Sequence, residues 1–111
     1  MVIGDEDQFN GNVYLVVLEY VADLAEIDEA LEAHVAWLDA HYSSGLFLAS
    51  GRLEPRTGGI ILAGGDRADV EAAVAADPFA TFGLARHSLI EFHPSKFGGP
   101  LDNDAIRAAL S

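Results

Sequence analysis

The segment at residues 12–21, NVYLVVLEYV, places the strongest limit on how this chain folds. It is rich in β-branched and aromatic residues, which predicts a strand. Both of its alternating faces are apolar: Val13, Leu15 and Val17 on one, and Tyr14, Val16, Leu18 and Tyr20 on the other. A strand with two apolar faces has to be covered on both sides, so we expect it inside a sheet with other structure packed on each face.

A helix follows this strand. From residue 27 to about residue 44, apolar side chains recur at the spacing of one helical face, and Gly45 ends the pattern. The apolar positions are Ile27, Ala30, Leu31, Val35, Leu38 and Tyr42. Asp23, followed three residues later by Glu26, predicts a capping interaction at the start of the helix.

The rest of the chain continues the alternation of strands and helices. Three further strands are predicted, at residues 46–53, 58–64 and 85–93. An alanine-rich helix is predicted at residues 66–76, and Pro78 stops it because proline disfavours helical geometry in the residue before it. The polar segment Glu54-Pro55-Arg56-Thr57 reads as the turn of a hairpin.

The resulting order is β-α-β-β-α-β, which predicts an α+β, ferredoxin-like fold. We expect a four-stranded antiparallel sheet with two helices on one face, followed by a short C-terminal helix at residues 102–110. The predicted organisation is a flexible tail at residues 1–11, one domain at residues 12–95, and a C-terminal loop and helix at residues 96–111.

The sheet face without helices would leave apolar positions of the first and third strands in water. Monomeric proteins seldom expose an apolar patch of that size. The sequence therefore predicts a homodimer in which the open sheet faces of two copies pack together, as in a dimeric α+β barrel.

Charge and composition exclude several classes of function. Asp and Glu number 18 against 6 Lys and Arg, for a net charge of -12, and ten acidic residues precede the first basic one, Arg52. Such a field repels phosphate backbones and anionic lipids, so we expect neither nucleic-acid nor membrane-surface binding. Cysteine is absent, which excludes disulfides and a cysteine nucleophile. We read no secretory signal and no membrane span, and expect a cytoplasmic protein.

His34 and Asp77 are the residues best suited to proton chemistry. His34 shares the apolar helix face with Leu31 and Leu38, so its ring is expected to be buried and in need of hydrogen-bond partners. Two interpretations of this residue are open: a core histidine bonded to a backbone carbonyl, or a proton carrier. Asp77 also has two interpretations, a partner of His34 or a helix cap, because Asp followed by Pro is typical of a helix N-terminus. The predicted topology would bring both to one cleft, where Asp77 fixes the tautomer of the imidazole.

Further residues are candidates for lining that cleft. Ser50 and Arg52 lie at the end of the second strand, where Arg52 would hold an anionic oxygen or remain a solvated surface arginine. Trp37, Phe79 and Phe82 would form an apolar wall or belong to the core.

His87, Glu91 and His93 share one face of the last predicted strand and form the best alternative, a metal site. We expect no metal there, because His87 is distant from the other two and no fourth ligand is visible. The glycine pairs lack the lysine and helix of a phosphate-binding loop.

An ordered set of motifs resembles the YCII-related domain family over residues 12–95. The matching positions are His34 with Trp37 and Leu38, Gly45, Gly51, Gly58-Gly59, Asp77-Pro78-Phe79 and Gly83-Leu84. Two positions depart from the family: Leu31 stands where many members have a basic residue, and Trp37 replaces a usual tyrosine.

The resemblance implies a small dimeric ferredoxin-like domain in which His34 and Asp77 match the proposed catalytic pair. Some similar proteins eliminate chloride from hydroxyquinone-type rings without a metal or an organic cofactor. The implied function is a cofactor-free lyase or isomerase acting on a small organic substrate, with Trp37, Ser50, Arg52 and Phe79 as substrate contacts. The alternative is a non-catalytic dimeric domain that binds a small ligand or serves an accessory role.

Overall fold

The computed structural model describes residues 12–110 of the chain, so the predicted N-terminal tail lies outside the described residues. The strands are β1 (Val13–Tyr20), β2 (Phe47–Arg52), β3 (Gly58–Gly64) and β4 (Ala85–Phe92). The helices are α1 (Leu24–Glu29), α2 (Leu31–Ser43), α3 (Arg67–Ala75), α4 (Pro78–Thr81) and α5 (Asp104–Leu110), with a 3-10 turn at Gly99–Leu101. Within residues 12–110, no helix is long and apolar enough to cross a membrane.

The four strands form one antiparallel sheet in the order β2-β3-β1-β4. Strand β1 is internal, and its Leu15 lies opposite Leu62 of β3 on one side and Ile90 of β4 on the other. This order is that of a split βαβ fold, and it confirms the predicted α+β, ferredoxin-like architecture.

The core lies between the helices and one face of the sheet. Tyr14, Val16 and Leu18 of β1 are at most 3% exposed on this face. Phe79 of α4 meets the ring of Tyr20 edge-on, with 5.9 Å between the ring centroids. Trp37 of α2 packs against Phe47 of β2 in the same manner at 5.1 Å. Burial of these large side chains holds the helices against the sheet.

The opposite side of the sheet carries a second set of apolar side chains, which we call the open face. Directly paired residues on neighbouring strands share a face, which assigns the following residues to it. They are Leu15, Val17, Ile60, Leu62 and Ile90. Ile90 is 52% exposed in the single chain.

The predicted first helix is interrupted in the structure. Ala30 adopts φ -93° and ψ 0°, which separates α1 from α2, and the side chain of Asp23 makes no capping hydrogen bond, contrary to the prediction. The apolar stripe predicted for this helix is buried only in part. Ile27 before the break is fully buried, whereas Leu31 and Val35 after it are 38% and 43% exposed. Leu31 and Val35 were wrongly predicted to be buried. The buried positions are Ile27, Ala30, His34 and Trp37, which recur at helical spacing across the break, and Leu38 packs partly against the core.

The turn between β2 and β3 depends on a glycine. A Cβ atom at Gly58 would lie 1.9 Å from the carbonyl oxygen of Leu18, so no larger residue fits without moving β1. The carbonyl oxygen of Gly58 accepts a hydrogen bond from the Leu53 amide at 2.9 Å, which closes the predicted hairpin. The strand ends joined by this hairpin and residues of α2 together line the cleft described below.

Candidate functional site

His34 lies on the buried face of α2, on the side that meets α3 and α4. Trp37, three residues later on the same face, donates its indole N–H to the carbonyl oxygen of Ala73 in α3 at 3.0 Å. That contact fixes the position of the helix next to His34. The His34 side chain is 11% exposed, so its ring is almost entirely enclosed.

Asp77 occupies the turn between α3 and α4 and caps the second of these helices. Its Oδ1 accepts a hydrogen bond from the Phe79 amide at 2.9 Å, and Pro78 takes the first helical position. The residue is fully buried. A buried carboxylate needs partners for both of its oxygens, and two imidazoles provide them.

Each oxygen of Asp77 is hydrogen-bonded to a different histidine. Nδ1 of His34 lies 2.8 Å from Oδ1, and Nε2 of His87 lies 2.7 Å from Oδ2. His87 belongs to β4, where it lies opposite Leu18 on the helix-covered side of the sheet. We refer to His34, Asp77 and His87 as the His–Asp–His triad.

The protonation of this triad follows from its contacts. Burial alone would raise the pKa of Asp77, but hydrogen bonds from His34, His87 and the Phe79 amide, together with the charge of a protonated His34, hold that pKa below its ordinary value. Asp77 is therefore a carboxylate, which only accepts hydrogen bonds. His34 must donate from Nδ1, and when the ring is neutral its lone pair is on Nε2.

Two aromatic rings contact the imidazole of His34. Phe79 stacks on the imidazole with 4.0 Å between ring centroids and an angle of 6° between the planes. Trp37 lies at 5.3 Å with its plane tilted by 34°. With Nδ1 bonded to Asp77 as well, the ring has a single orientation.

His34 lines a cleft of about 340 Å³ between α2 and the ends of β2 and β3. Much of the lining is apolar and comprises Leu31, Val35, Leu38, Ile61 and Phe79. No residue within the described range 12–110 is hydrogen-bonded to Nε2 of His34, so this nitrogen is left for a ligand. Leu31 and Val35 are exposed because their side chains form a wall of the cleft.

The rim of the cleft is polar and includes positive charge. Arg56 is bound to Asp28 at 2.6 Å, and both line the cleft. Arg52 also lines it, and its only described ion pair is a long contact of 3.6 Å with Glu54, in which both side chains are well exposed. Arg52 is therefore the cation most readily turned toward a ligand.

A sequence profile places the chain among known proteins. The profile of the YCII-related domain matches residues 13–93, most of the chain and all four strands. This protein belongs to the YCII-related domain family. No curated protein matches the chain.

Among solved structures, the chain is similar to 5-chloro-2-hydroxyhydroquinone dehydrochlorinase (TftG) from Burkholderia phenoliruptrix AC1100, solved in complex with 2,5-dihydroxybenzoquinone. The TM-score is 0.60 at 18% sequence identity, over 83% of this chain and 99% of that one. At this identity the likeness establishes a shared fold.

Most of the residues predicted to form the YCII site are brought together by the structure. His34, Ser50, Arg52 and Phe79 all line the cleft, and Asp77 lies directly behind His34. Trp37 is not among the lining residues; its ring supports His34 from within the core, where it is 8% exposed. Phe82 is also outside the cleft and is 63% exposed.

His87 is the residue of the triad that sequence reasoning missed, because it was grouped with Glu91 and His93 as a metal alternative. The structure separates these three residues: His87 meets Asp77, whereas Glu91 pairs with Arg67 at 3.0 Å. Among residues 12–110, no group of three or more potential ligands is placed to hold a metal ion. The sequence did contain a signal for His87. It lies two residues after the buried Ala85, so both side chains are on the same face of β4, the first strand after the turn that carries Asp77.

The lowered pKa of Asp77 predicts how stability responds to acid. A carboxyl group with a depressed folded-state pKa stabilises the protein above its unfolded value of about 4, and this contribution is lost as the pH falls through the folded-state value. We expect the difference in unfolding free energy between wild type and Asp77→Asn to shrink below about pH 4. Urea denaturation of both proteins over a pH series measures it, and a difference that stays constant into strong acid contradicts the prediction.

Proposed function

We propose that this YCII-related protein is a cofactor-free lyase or isomerase that moves a proton on a small conjugated or aromatic-derived organic substrate, with His34 as general base and Asp77 as its orienting partner. One observation carries the proposal. His34 is bonded through Nδ1 to a buried carboxylate, which leaves Nε2 for a ligand in an otherwise mostly apolar cleft.

The arrangement suits a general base for three physical reasons. Asp77 selects the tautomer with the lone pair on Nε2, and it stabilises the imidazolium formed when that nitrogen takes a proton. The stacked Phe79 ring fixes the direction of the lone pair. The apolar walls reduce the access of water, which strengthens the electrostatic interactions within the cleft.

The proposed step begins with Nε2 of His34 taking a proton from a C–H or O–H group of the substrate. The electron pair left on the substrate is delocalised over the conjugated system onto a carbonyl oxygen, beside Arg52 on the rim. In a lyase, this electron pair then expels a leaving group such as chloride, and His34 releases the proton to solvent before the next turnover. In an isomerase, His34 returns the proton to a different atom, so the atoms of the substrate are unchanged in number.

The size of the cleft and the similar structure support a single-ring substrate. A volume of about 340 Å³ is near the lower end of the roughly 300–1,000 Å³ usual for ligand pockets. The dehydrochlorinase of similar fold is named for a chlorinated hydroxyhydroquinone and was solved with a dihydroxybenzoquinone. Hydroxylated six-membered rings are therefore the first compounds to test.

The experiment is a turnover screen in D₂O with hydroxyquinones, hydroxyhydroquinones and their chlorinated forms. Proton NMR follows deuterium incorporation at acidic ring positions, and an ion-selective electrode follows chloride release. We expect exchange or elimination above the buffer rate for at least one compound. Compounds that bind without exchange or elimination would instead indicate the alternative function, a ligand-binding domain without catalysis.

Arg52 is predicted to contact an anionic oxygen of the ligand. Because its guanidinium is largely exposed, Arg52→Gln is expected to weaken binding of 2,5-dihydroxybenzoquinone only about three- to tenfold, measured by calorimetry. The neutral 2,5-dimethoxy analogue should bind the two proteins equally. Arg67→Gln, a matched change on α3 outside the cleft, should leave the affinities for both compounds unaltered. If Arg52→Gln weakens binding of the neutral analogue as much as that of 2,5-dihydroxybenzoquinone, the proposed contact is contradicted.

We also propose that two copies pair through the open face. Ile90 is half exposed there in the single chain, and covering it with a second apolar face would remove it from water. We expect sedimentation at micromolar concentration to give twice the chain mass of 11.8 kDa. Ile90→Asp should give a monomer, whereas Leu24→Asp, at a comparably exposed residue of α1, should remain dimeric. A monomeric wild type contradicts this proposal.

A further inference from the structure

His87 is buried behind the cleft, and its only described polar contact is with Asp77. The side chain is 6% exposed and does not belong to the cleft lining. A substrate in the cleft therefore cannot touch it. Any influence of His87 on chemistry has to pass through the carboxylate that it shares with His34.

The position of His87 is set by the sheet rather than by a flexible loop. It lies opposite Leu18 in the pairing of β4 with β1, and the neighbouring β1 residues on that face are Val16 and Tyr20. Asp77 approaches from the turn before α4 with its Oδ2 at 2.7 Å. This oxygen is not used by His34 or by the Phe79 amide, both of which are bonded to Oδ1.

The charge of each imidazole affects the other, because both are bonded to the same carboxylate. With both rings neutral, the triad carries one buried negative charge, that of Asp77. One added proton makes the triad neutral, which burial favours. A second added proton would leave a net positive charge in the core, which burial opposes. Two rings bonded to one carboxylate are coupled, because a proton on one changes the charge that the other meets.

We propose that His87 is a positioning residue of the proton-transfer site: it shares the charge of Asp77 with His34 and so determines how readily the His34 ring takes a proton. The inference rests on the proposed function for its catalytic meaning. When the added proton is on His87, His34 is neutral and ready to act as a base. When the added proton is on His34, that ring is an acid and His87 is neutral.

The other charged groups near His34 line the cleft instead of being buried behind it. Those that line the cleft with it are Asp28, Arg52 and Arg56, together with the phenol of Tyr20. Asp28 and Arg56 neutralise each other in their ion pair, and Arg52 is largely exposed. Asp77 and His87 are the buried titratable groups next to His34, so we expect the electrostatic interaction with His34 to be strongest for these two.

The test is an NMR titration of the histidine ring signals in wild type and in His87→Gln. Glutamine offers an N–H donor that Asp77 still accepts, but it takes no proton. We expect the His34 curve to change from two inflections to one, because no second ring competes for the added proton. His93→Gln, the same substitution at an exposed histidine, should leave the His34 curve in place.

A His34 curve that is the same in wild type and His87→Gln overturns the inference and leaves His87 as a structural residue. If His87→Gln does not fold, the wild-type titration decides: shared inflections for His34 and His87 support the coupling, and independent single-step curves overturn it. The titration needs no substrate. Coupling without turnover would thus refute only the proposed function, while turnover with uncoupled histidines would refute only the role of His87.

Discussion

His34→Gln is expected to lower turnover of any accepted substrate by about 10²–10⁴-fold while the chain remains folded. The amide nitrogen of glutamine still reaches toward Asp77, but the variant has no lone pair of suitable basicity in the cleft. Exchange of substrate protons with D₂O, measured under identical conditions for variant and wild type, gives the ratio of rates. Thermal unfolding monitored by circular dichroism checks that the fold is kept.

The matched control is His93→Gln, at an exposed histidine just past β4 and outside the triad. Its turnover should equal that of wild type. Two outcomes would contradict the assignment of His34. Turnover of His34→Gln within about twofold of wild type would exclude it as the base, and unfolding of both His34→Gln and His34→Ala would show that the residue is structural.

Asp77→Ala is expected to reduce the free energy of unfolding by about 3–5 kcal/mol, because removing one partner of a buried charged network leaves the others without compensation. The Nδ1–H of His34, the Nε2–H of His87 and the Phe79 amide would all lose their acceptor in the interior. Urea denaturation at neutral pH, analysed by linear extrapolation, measures the loss.

Asp39→Ala is the control for this prediction, since Asp39 is an exposed carboxylate on α2. Its effect should remain within about 0.5 kcal/mol, as for surface substitutions in general. A loss below about 1 kcal/mol for Asp77→Ala would contradict the view that the carboxylate organises the site. It would mean that water replaces the missing oxygen atoms at little cost.

Much of the fold could be predicted because local patterns and topology agree. The apolar residues on both faces of β1 required other structure on each side of the strand. Gly58 and the polar turn before it indicated a hairpin, and Pro78 indicated the end of a helix. The break at Ala30 could not be predicted in this way. Alanine is a good helix former, so nothing in the local sequence signals that the helix is interrupted there.

The site was predictable to a lesser degree. His34 and Asp77 are 43 positions apart, and their contact depends on how two helices pack. Topology made the contact plausible, and the family motif selected these two residues. His87 was harder to assign, because a histidine on a strand contacts whatever helix or turn lies above it. Leu31 and Val35 were wrongly predicted to be buried for a related reason: apolar residues that line a cleft follow the same spacing as core residues.

Trp37 is the only tryptophan of the chain and lies against the triad, with its ring 5.3 Å from that of His34. A charged imidazole quenches the emission of an adjacent indole, so the intrinsic fluorescence of the protein reports on the charge of His34. The ring of His41 lies at 5.5 Å on the same tryptophan, and a His41→Gln background removes its contribution. Stopped-flow fluorescence would then follow arrival of the proton at His34 during a single turnover, without any attached label.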